Sequence, residues 1–163
     1  MITFSALPAT LAEFQALPQL DLTNPENTCA LFIAALHLYT LDKNAGVEAV
    51  NMLRGPRPMS PFEVQFLRDR LIDKPYLPLS YFNGASVQNN YTPAAPYTLV
   101  FSPDPRPQDL PADYMRLYVR SAGADSPRAI TLRRKASGNE WFLWEYPAIV
   151  MGIRVPAAAD PWA

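Results

Sequence analysis

Two residues of the first half, His37 and Cys29, carry side chains that serve in nucleophilic and acid–base catalysis. Each is the only residue of its type in the chain. On one helix, their separation of eight residues corresponds to about 12 Å along the axis, too far for a thiolate–imidazole pair. We therefore predict a hydrogen-bonded core histidine and a buried, apolar cysteine.

The segment "GADSPR" (123–128) joins Asp125, Ser126 and Arg128 in a short span. Asp125 and Arg128 are candidates for an anion or partner contact at the rim of a sheet. Asp and Ser are also common turn formers, because their side chains bond the local backbone, and Gly is one because it permits positive φ. A structural turn is the favoured interpretation.

Glu145 follows Leu143 in the strand-like run "EWFLWEY", and strict alternation places it on the core side. A buried carboxylate needs a partner, for which Arg134 and Arg154 are candidates. The pattern predicts either a structural ion pair or a general base in a pocket lined by the sheet.

No sequence pattern indicates a cofactor or a metal ion. A glycine-rich phosphate loop is absent, as are HExxH, CxxC, EF-hand and GxSxG patterns. We predict no cofactor and no metal, and we favour a non-catalytic protein that acts by binding or assembly. The alternative is an enzyme or small-molecule binder with a pocket between helices and sheet, involving Glu145 or His37.

The run "YMRLYVR" (114–120) alternates between apolar and aromatic or cationic side chains. Such alternation predicts a strand with one face on the core. If "ASGN" forms a turn, Leu132 lies opposite Leu143 and Arg133 opposite Phe142; we also place Leu117 opposite Leu132 and Val119 opposite Ile130. The outer face then collects aromatic and cationic residues: Tyr114, Arg116, Tyr118, Arg120, Thr131, Arg133, Lys135, Phe142, Trp144 and Tyr146.

Two interpretations of this outer face stay open. Aromatic and cationic side chains together form binding platforms for anions, and we take the candidate ligand-binding residues to be Tyr114, Arg116, Tyr118, Arg120, Arg133, Lys135 and Trp144. Arginine also stacks on aromatic rings merely to cover apolar surface, and the loop 76–96 or a second subunit of a homo-oligomer could cover the face. An anionic ligand or a protein partner is expected; a net charge of −1 and the absence of a recognition signature argue against nucleic acid.

The first half of the chain predicts helices. "PATLAEFQAL" and "AGVEAVNML" are short amphipathic candidates, and "CALFIAALHLYTL" is apolar nearly all round, which indicates a central buried helix that begins after Asn24 and Pro25. "SPFEVQFLRDRLID" begins with a capping box of Ser60 and Glu63. Its predicted apolar stripe is Phe62, Phe66, Leu67 and Leu71.

Strands follow after residue 96, in "YTLVF", "YMRLYVRS", "AITLRRK" and "EWFLWEY", and "AIVMGIRV" is a further candidate. Helices followed by strands predict an α+β fold, with N-terminal helices packed on a C-terminal antiparallel β-sheet of three to five strands. We expect one domain over 1–163, with a helical part at about 8–74 and a sheet part at about 97–156. Without a secretory signal or a long apolar run, the sequence predicts a soluble cytoplasmic protein and no membrane partner.

Three strings resemble a family of small, uncharacterised bacterial proteins: "NPENT" at a helix start, "GADSPR" in a hairpin and "WFLWEY" in a strand. The resemblance covers roughly residues 24–156. That family has no assigned activity, so the resemblance implies a bacterial origin and no catalytic residues. The order of helices before a curved sheet also looks like the fold of nuclear-transport-factor-2-like proteins, which hosts both enzymes and binding modules.

Overall fold

Four helices precede the main sheet in the computed structural model, which describes residues 1–163. The fold is α+β, as predicted. The helices are α1 (Leu11–Gln15), α2 (Pro25–Leu41), α3 (Lys43–Met52) and α4 (Pro61–Leu71). The strands are β1 (Ile2–Phe4), β2 (Tyr97–Leu99), β3 (Phe101–Pro103), β4 (Tyr114–Val119), β5 (Arg128–Arg134) and β6 (Trp141–Glu145).

The starts of α2 and α4 confirm the capping predictions. The Asn24 side chain accepts a hydrogen bond of 3.0 Å from the Glu26 N–H, with Pro25 at the first position of α2. At α4, the Ser60 hydroxyl accepts from the Glu63 N–H at 3.2 Å, while the Glu63 carboxylate accepts from the Ser60 N–H at 3.3 Å. These bonds satisfy N–H groups that a helix cannot pair internally.

Helix α2 is the central element, as its composition predicts. Residues 28–36 are all buried, and α2 contacts α3 on one side and β6 on the other. One hydrophobic cluster of 33 buried residues includes side chains from the helices and from the sheet. A helix without a polar face suits this position, because no side of it meets water.

The antiparallel sheet has the order β3-β4-β5-β6, and β1 pairs with β2 in a separate two-stranded sheet. The predicted pairing of β5 with β6 is confirmed: Leu132 lies opposite Leu143. The predicted pairing of β4 with β5 is wrong by two residues, because Leu117 lies opposite Ile130. A shift of two keeps every side chain on its predicted face, since the period of a strand is two.

The free edge of β6 is covered by the segments that flank the central helices. The Trp141 N–H donates to the Leu22 carbonyl and the Leu143 N–H to the Leu53 carbonyl, each at 2.8 Å. The Thr28 hydroxyl donates to the Trp141 carbonyl at 2.7 Å. These bonds place the end of α3 and the loop after it directly beside β6.

A β-bulge in β6 reverses the alternation after Leu143. Leu132 lies opposite Leu143, but its neighbour Thr131 lies opposite Glu145, so Trp144 is the extra residue. As a result Glu145 is exposed and Tyr146 is buried. The predictions of a core-facing Glu145 and an outer-face Tyr146 are therefore wrong, because strict alternation does not continue through a bulge.

Other local predictions also need correction. The segment "AIVMGIRV" forms a 3₁₀ turn at Pro147–Val150 and no strand, and β1 at Ile2–Phe4 was not predicted. Phe62 is not part of a buried stripe on α4, since 78% of its surface is exposed. Thr131 lies in the outer-face set yet is buried, because neighbouring side chains cover its short side chain.

A buried ion pair lies where the loop between α3 and α4 meets β6. Arg54 Nη2 lies 2.8 Å from Glu63 Oε2, and the Arg54 side chain is only 2% exposed. The same guanidinium donates to the carbonyls of Arg57 and Trp144, each at 3.1 Å. The Tyr146 hydroxyl donates to Glu63 Oε2 at 3.1 Å. Burial first, and then the Glu63 carboxylate, raise the pKa of Tyr146, which keeps this hydroxyl protonated.

Replacing Glu63 by Gln tests this ion pair. Gln retains the capping box, but it leaves the buried Arg54 guanidinium without a counter-charge, so we expect the free energy of unfolding to fall by about 3 kcal/mol. The control Ser60→Ala removes only the cap and costs about 1 kcal/mol. Urea unfolding measures both. A Glu63→Gln loss no larger than that of Ser60→Ala would show that the ion pair contributes nothing.

Candidate anion-binding groove

A groove of about 590 Å³ lies on the outer face of the sheet, over β5 and β6. We call it the outer groove. It is lined by residues 142–144 of β6, by Arg54, Pro56 and Arg57 of the loop after α3, and by residues 111–114 and 133–137. Its volume lies within the range of small-molecule sites in proteins. The bulge at Trp144 and the loop after α3 therefore meet in one concave surface.

Trp144 lines the outer groove and contacts two arginines. The guanidinium carbons of Arg57 and Arg133 each lie 4.6 Å from the centre of its ring. Arg133 also lies over the Tyr114 ring at 5.2 Å, and the Tyr114 and Trp144 rings meet edge to face at 5.9 Å. Each cation–π contact of this kind contributes about 0.5–1 kcal/mol at an exposed site.

Phe142 supports a third cation and the neighbouring loop. Lys135 Nζ lies 5.7 Å from the centre of the Phe142 ring. Gly55 lies against the same ring with φ at +60°, and a Cβ there would come within 2.9 Å of two ring atoms. Glycine is therefore required by conformation and by space, and it lets the loop that carries Arg57 lie close to the sheet.

The positive charges of the outer groove fall into two groups. Arg54 is paired with Glu63, and Arg134 is paired with Asp113 at 3.1 Å. The other three cations, by contrast, have no carboxylate within 4.0 Å and make no side-chain hydrogen bond; they are Arg57, Arg133 and Lys135. Their N–H donors are unused, and all three side chains are exposed.

The structure divides the sequence-predicted residues into two sets. Tyr114, Arg133, Lys135 and Trp144 line the outer groove. The others lie outside it: Arg116, Tyr118 and Arg120. Arg116 lies 3.7 Å from Asp104, so its charge is largely compensated.

Sequence reasoning missed Arg54 and Arg57. Both belong to the loop between α3 and α4, which reaches the sheet through the Leu53–Leu143 backbone bond. That contact spans 90 residues in the chain, from 53 to 143. The string "RGPR" offered only a weak local signal, a glycine–proline turn flanked by two arginines.

The loop 76–96 does not cover the outer groove, and none of its residues lines it. Its buried Tyr91 donates to the Arg154 carbonyl at 2.7 Å, and its Ser80 carbonyl accepts from the Ala122 N–H at 2.8 Å. These bonds attach the loop to the turn after β4 and to the C-terminal segment. Coverage of the outer groove by this loop, one of the two coverings that the packing interpretation allowed, is thereby contradicted.

The remaining candidates do not form a site. Glu145 has neither predicted partner, since Arg134 pairs with Asp113 and Arg154 with Asp125. The segment 123–127 forms the turn region that was favoured, and β5 begins at Arg128.

Cys29 is buried, as predicted, and burial raises the pKa of its thiol. His37 is half-buried, but the predicted hydrogen bond is absent: its Nδ1 has no partner. Burial lowers the pKa of His37 below its ordinary value.

Two further features are absent from the structure. The structure holds no group of three or more His, Cys, Asp or Glu side chains placed to bind a metal ion. No helix combines the length and the apolar character that a membrane span requires.

A family model described as a domain of unknown function, DUF6935, matches residues 6–157. The chain belongs to this family. The match covers the helices, the main sheet and every residue of the outer groove. It supports the resemblance to an uncharacterised family that the sequence motifs indicated. Neither a curated protein nor a solved structure matches the chain.

Gly55→Ala tests the contact between the loop and Phe142. We expect the free energy of unfolding to fall by about 1–2 kcal/mol because alanine is strained in the left-handed backbone conformation of residue 55. It should fall by more than this because the new Cβ meets the Phe142 ring. Gly84→Ala is the matched control, with φ at +88° and nothing within 4 Å of its Cβ. Equal losses in thermal or urea unfolding would mean that the Phe142 contact has no energetic consequence.

His37 predicts a pH dependence of stability. Its folded pKa is lowered, so the unfolded state binds the proton first. The contribution of neutral His37 to the free energy of unfolding is fully present above the unfolded pKa of about 6.5. It is lost as the pH falls from that value to the folded pKa. Urea unfolding of the protein and of His37→Gln at several pH values measures this. A difference between the two that does not change between about pH 7 and pH 5 would contradict the assignment.

Proposed function

We propose that this protein is a binding module and that the outer groove holds an anionic ligand. The observation that carries the proposal is the set of three exposed cations with neither carboxylate nor hydrogen-bond partner in one groove: Arg57, Arg133 and Lys135. The chain as a whole has a net charge of −1, so the positive charge is a local feature of this surface.

Electrostatics favours an anion in this position. Arg57 and Arg133 flank one ring, and their guanidinium carbons are no farther apart than twice 4.6 Å. Like charges at this distance repel each other, and an anion between or beside them turns that repulsion into attraction. The effect weakens with salt, because the side chains are exposed.

Aromatic stacking prepares the cations for binding. A guanidinium held against a ring loses part of its side-chain freedom before any ligand arrives, which lowers the entropy lost on binding. The N–H groups of Arg57 and Arg133 make no hydrogen bond within the protein, so they remain available to a ligand. The planar fork matches carboxylate and phosphate oxygens in a bidentate contact.

Several predictions from the sequence belong with this proposal. A non-catalytic role, a cytoplasmic location, a bacterial origin and one domain over 1–163 are compatible with a small binding module. The likeness to nuclear-transport-factor-2-like proteins is part of the same proposal, since that fold hosts binding modules. In the alternative, a second copy of the chain covers the outer face in a homo-oligomer, and the outer groove is then inaccessible to anions.

A thermal-shift panel of inorganic phosphate, pyrophosphate, citrate and sugar phosphates tests the proposal at low and high salt. A ligand at about 100 times its dissociation constant adds about 2.7 kcal/mol of stability. We expect Arg133→Gln to weaken binding about tenfold or more, since a hydrogen bond to a charged group contributes about 1.5–3 kcal/mol.

The matched control is Arg120→Gln, which removes the same charge from an exposed residue outside the outer groove. The affinity of Arg120→Gln for the anionic ligand should stay close to that of the unchanged protein. A panel without any stabilisation at low salt overturns the proposal. Equal losses for the two variants would also overturn it, because net charge and not the groove would then determine binding.

A further inference from the structure

Resting on this proposed function, we infer that the ligand is a compact molecule with two anionic groups. One group binds Arg57 and the other binds Arg133, and the ligand spans the exposed edge of Trp144. Lys135 supplies a third, less directional contact. The inference depends on the arrangement around a single tryptophan, Trp144, which lines the outer groove.

The two arginines come from elements on opposite edges of β6. Arg133 belongs to β5, which pairs with one edge of β6. Arg57 belongs to the loop after α3, which bonds to the other edge of β6 through Leu53 and Leu143. Each guanidinium carbon lies 4.6 Å from the centre of the Trp144 ring, so the two carbons are no farther apart than twice that distance. Two anionic binding points therefore lie close together.

The aromatic rings of the outer groove already carry cations. Arg57 and Arg133 both lie over Trp144, and Arg133 also lies over Tyr114. Phe142 contacts Lys135 and the backbone of Gly55. A nucleobase that stacked on one of these rings would have to compete with these contacts, unlike on the platforms that bind single-stranded nucleic acid. We therefore expect recognition through the N–H donors of the guanidinium groups, which select anionic oxygens.

The extent of the positive charge limits the size of the ligand. Arg134 is compensated by Asp113 at one wall, and Arg116 is compensated by Asp104 farther along the face. Uncompensated charge within the outer groove is confined to three residues: Arg57, Arg133 and Lys135. A long polyanion would need a track of cations beyond them, whereas a bisphosphate or a dicarboxylate does not.

Isothermal titration with matched pairs of probes tests this inference. The pairs are inorganic phosphate against pyrophosphate, acetate against dicarboxylates of increasing chain length, and ribose 5-phosphate against adenosine monophosphate. In the first two pairs, we expect the probe with two anionic groups to bind about tenfold or more tightly than the probe with one, because the second contact is intramolecular. Adenosine monophosphate should bind no more tightly than ribose 5-phosphate.

Variants show whether both arginines take part. Arg57→Gln and Arg133→Gln should each reduce the affinity for the best bis-anion to near that of the mono-anion, and Arg120→Gln should not. Arg133→Lys keeps the charge but removes the planar fork, so it should weaken binding as well. The melting temperatures of the free variants show whether each is folded.

The outcomes separate this inference from the proposed function. Equal affinity for mono-anions and bis-anions overturns the inference and leaves the proposed function in place. Tighter binding of adenosine monophosphate than of ribose 5-phosphate also overturns it, because a base would then find a free ring. If no probe binds at low salt, the proposed function itself fails, and the inference fails with it.

Discussion

The ion pair between Arg54 and Glu63 joins three parts of the molecule that are distant in sequence. Glu63 belongs to the first turn of α4, Arg54 to the loop after α3, and the carbonyl of Trp144 that accepts from Arg54 belongs to β6. Tyr146 completes the cluster with its hydroxyl on Glu63 and its ring under Arg54. A buried charge tolerates little displacement, because moving it away from its partner leaves the cost of its desolvation uncompensated. The loop and the strand are thus fixed relative to each other.

The bulge in β6 makes this cluster possible. Without the extra residue, Tyr146 would point away from the core and could not reach Glu63, and Glu145 would point inward without a partner. With it, Tyr146 packs on Phe32, with the ring centres 4.8 Å apart, while Trp144 stays on the outer face. One irregular residue in a short strand therefore determines the stability of the junction that lies beside the outer groove.

Much of the fold was predictable because local signals were strong. Asn24 before Pro25, and Ser60 with Glu63, mark helix starts through backbone groups within a few residues. Alternation in β4 and β5 showed which face is buried even where the register was two residues off, since that error leaves the faces unchanged. The short strand β1 and the bulge in β6 were not predictable, because β1 pairs with β2 from far along the chain and no local pattern records the bulge.

The candidate site was predictable in part for the same reason. Tyr114, Arg133 and Trp144 come from adjacent strands, so alternation and pairing bring them together. Arg57 comes from a loop whose position depends on the tertiary bond between Leu53 and Leu143. Whether a cation is free or compensated also depends on tertiary structure: Arg116 and Arg133 look alike in the sequence, and only Arg116 lies beside a carboxylate.

The covered edge of β6 also restricts how copies of the chain can associate. Its outward N–H groups at Trp141 and Leu143 are already bonded to carbonyls of the same chain. At the opposite edge, β3 is only three residues long and ends with Pro103, which has no N–H to donate. Neither edge offers a row of free backbone groups, so the sheet cannot extend from one molecule into the next. A contact between copies that involves this four-stranded sheet must therefore form through the side chains of its face.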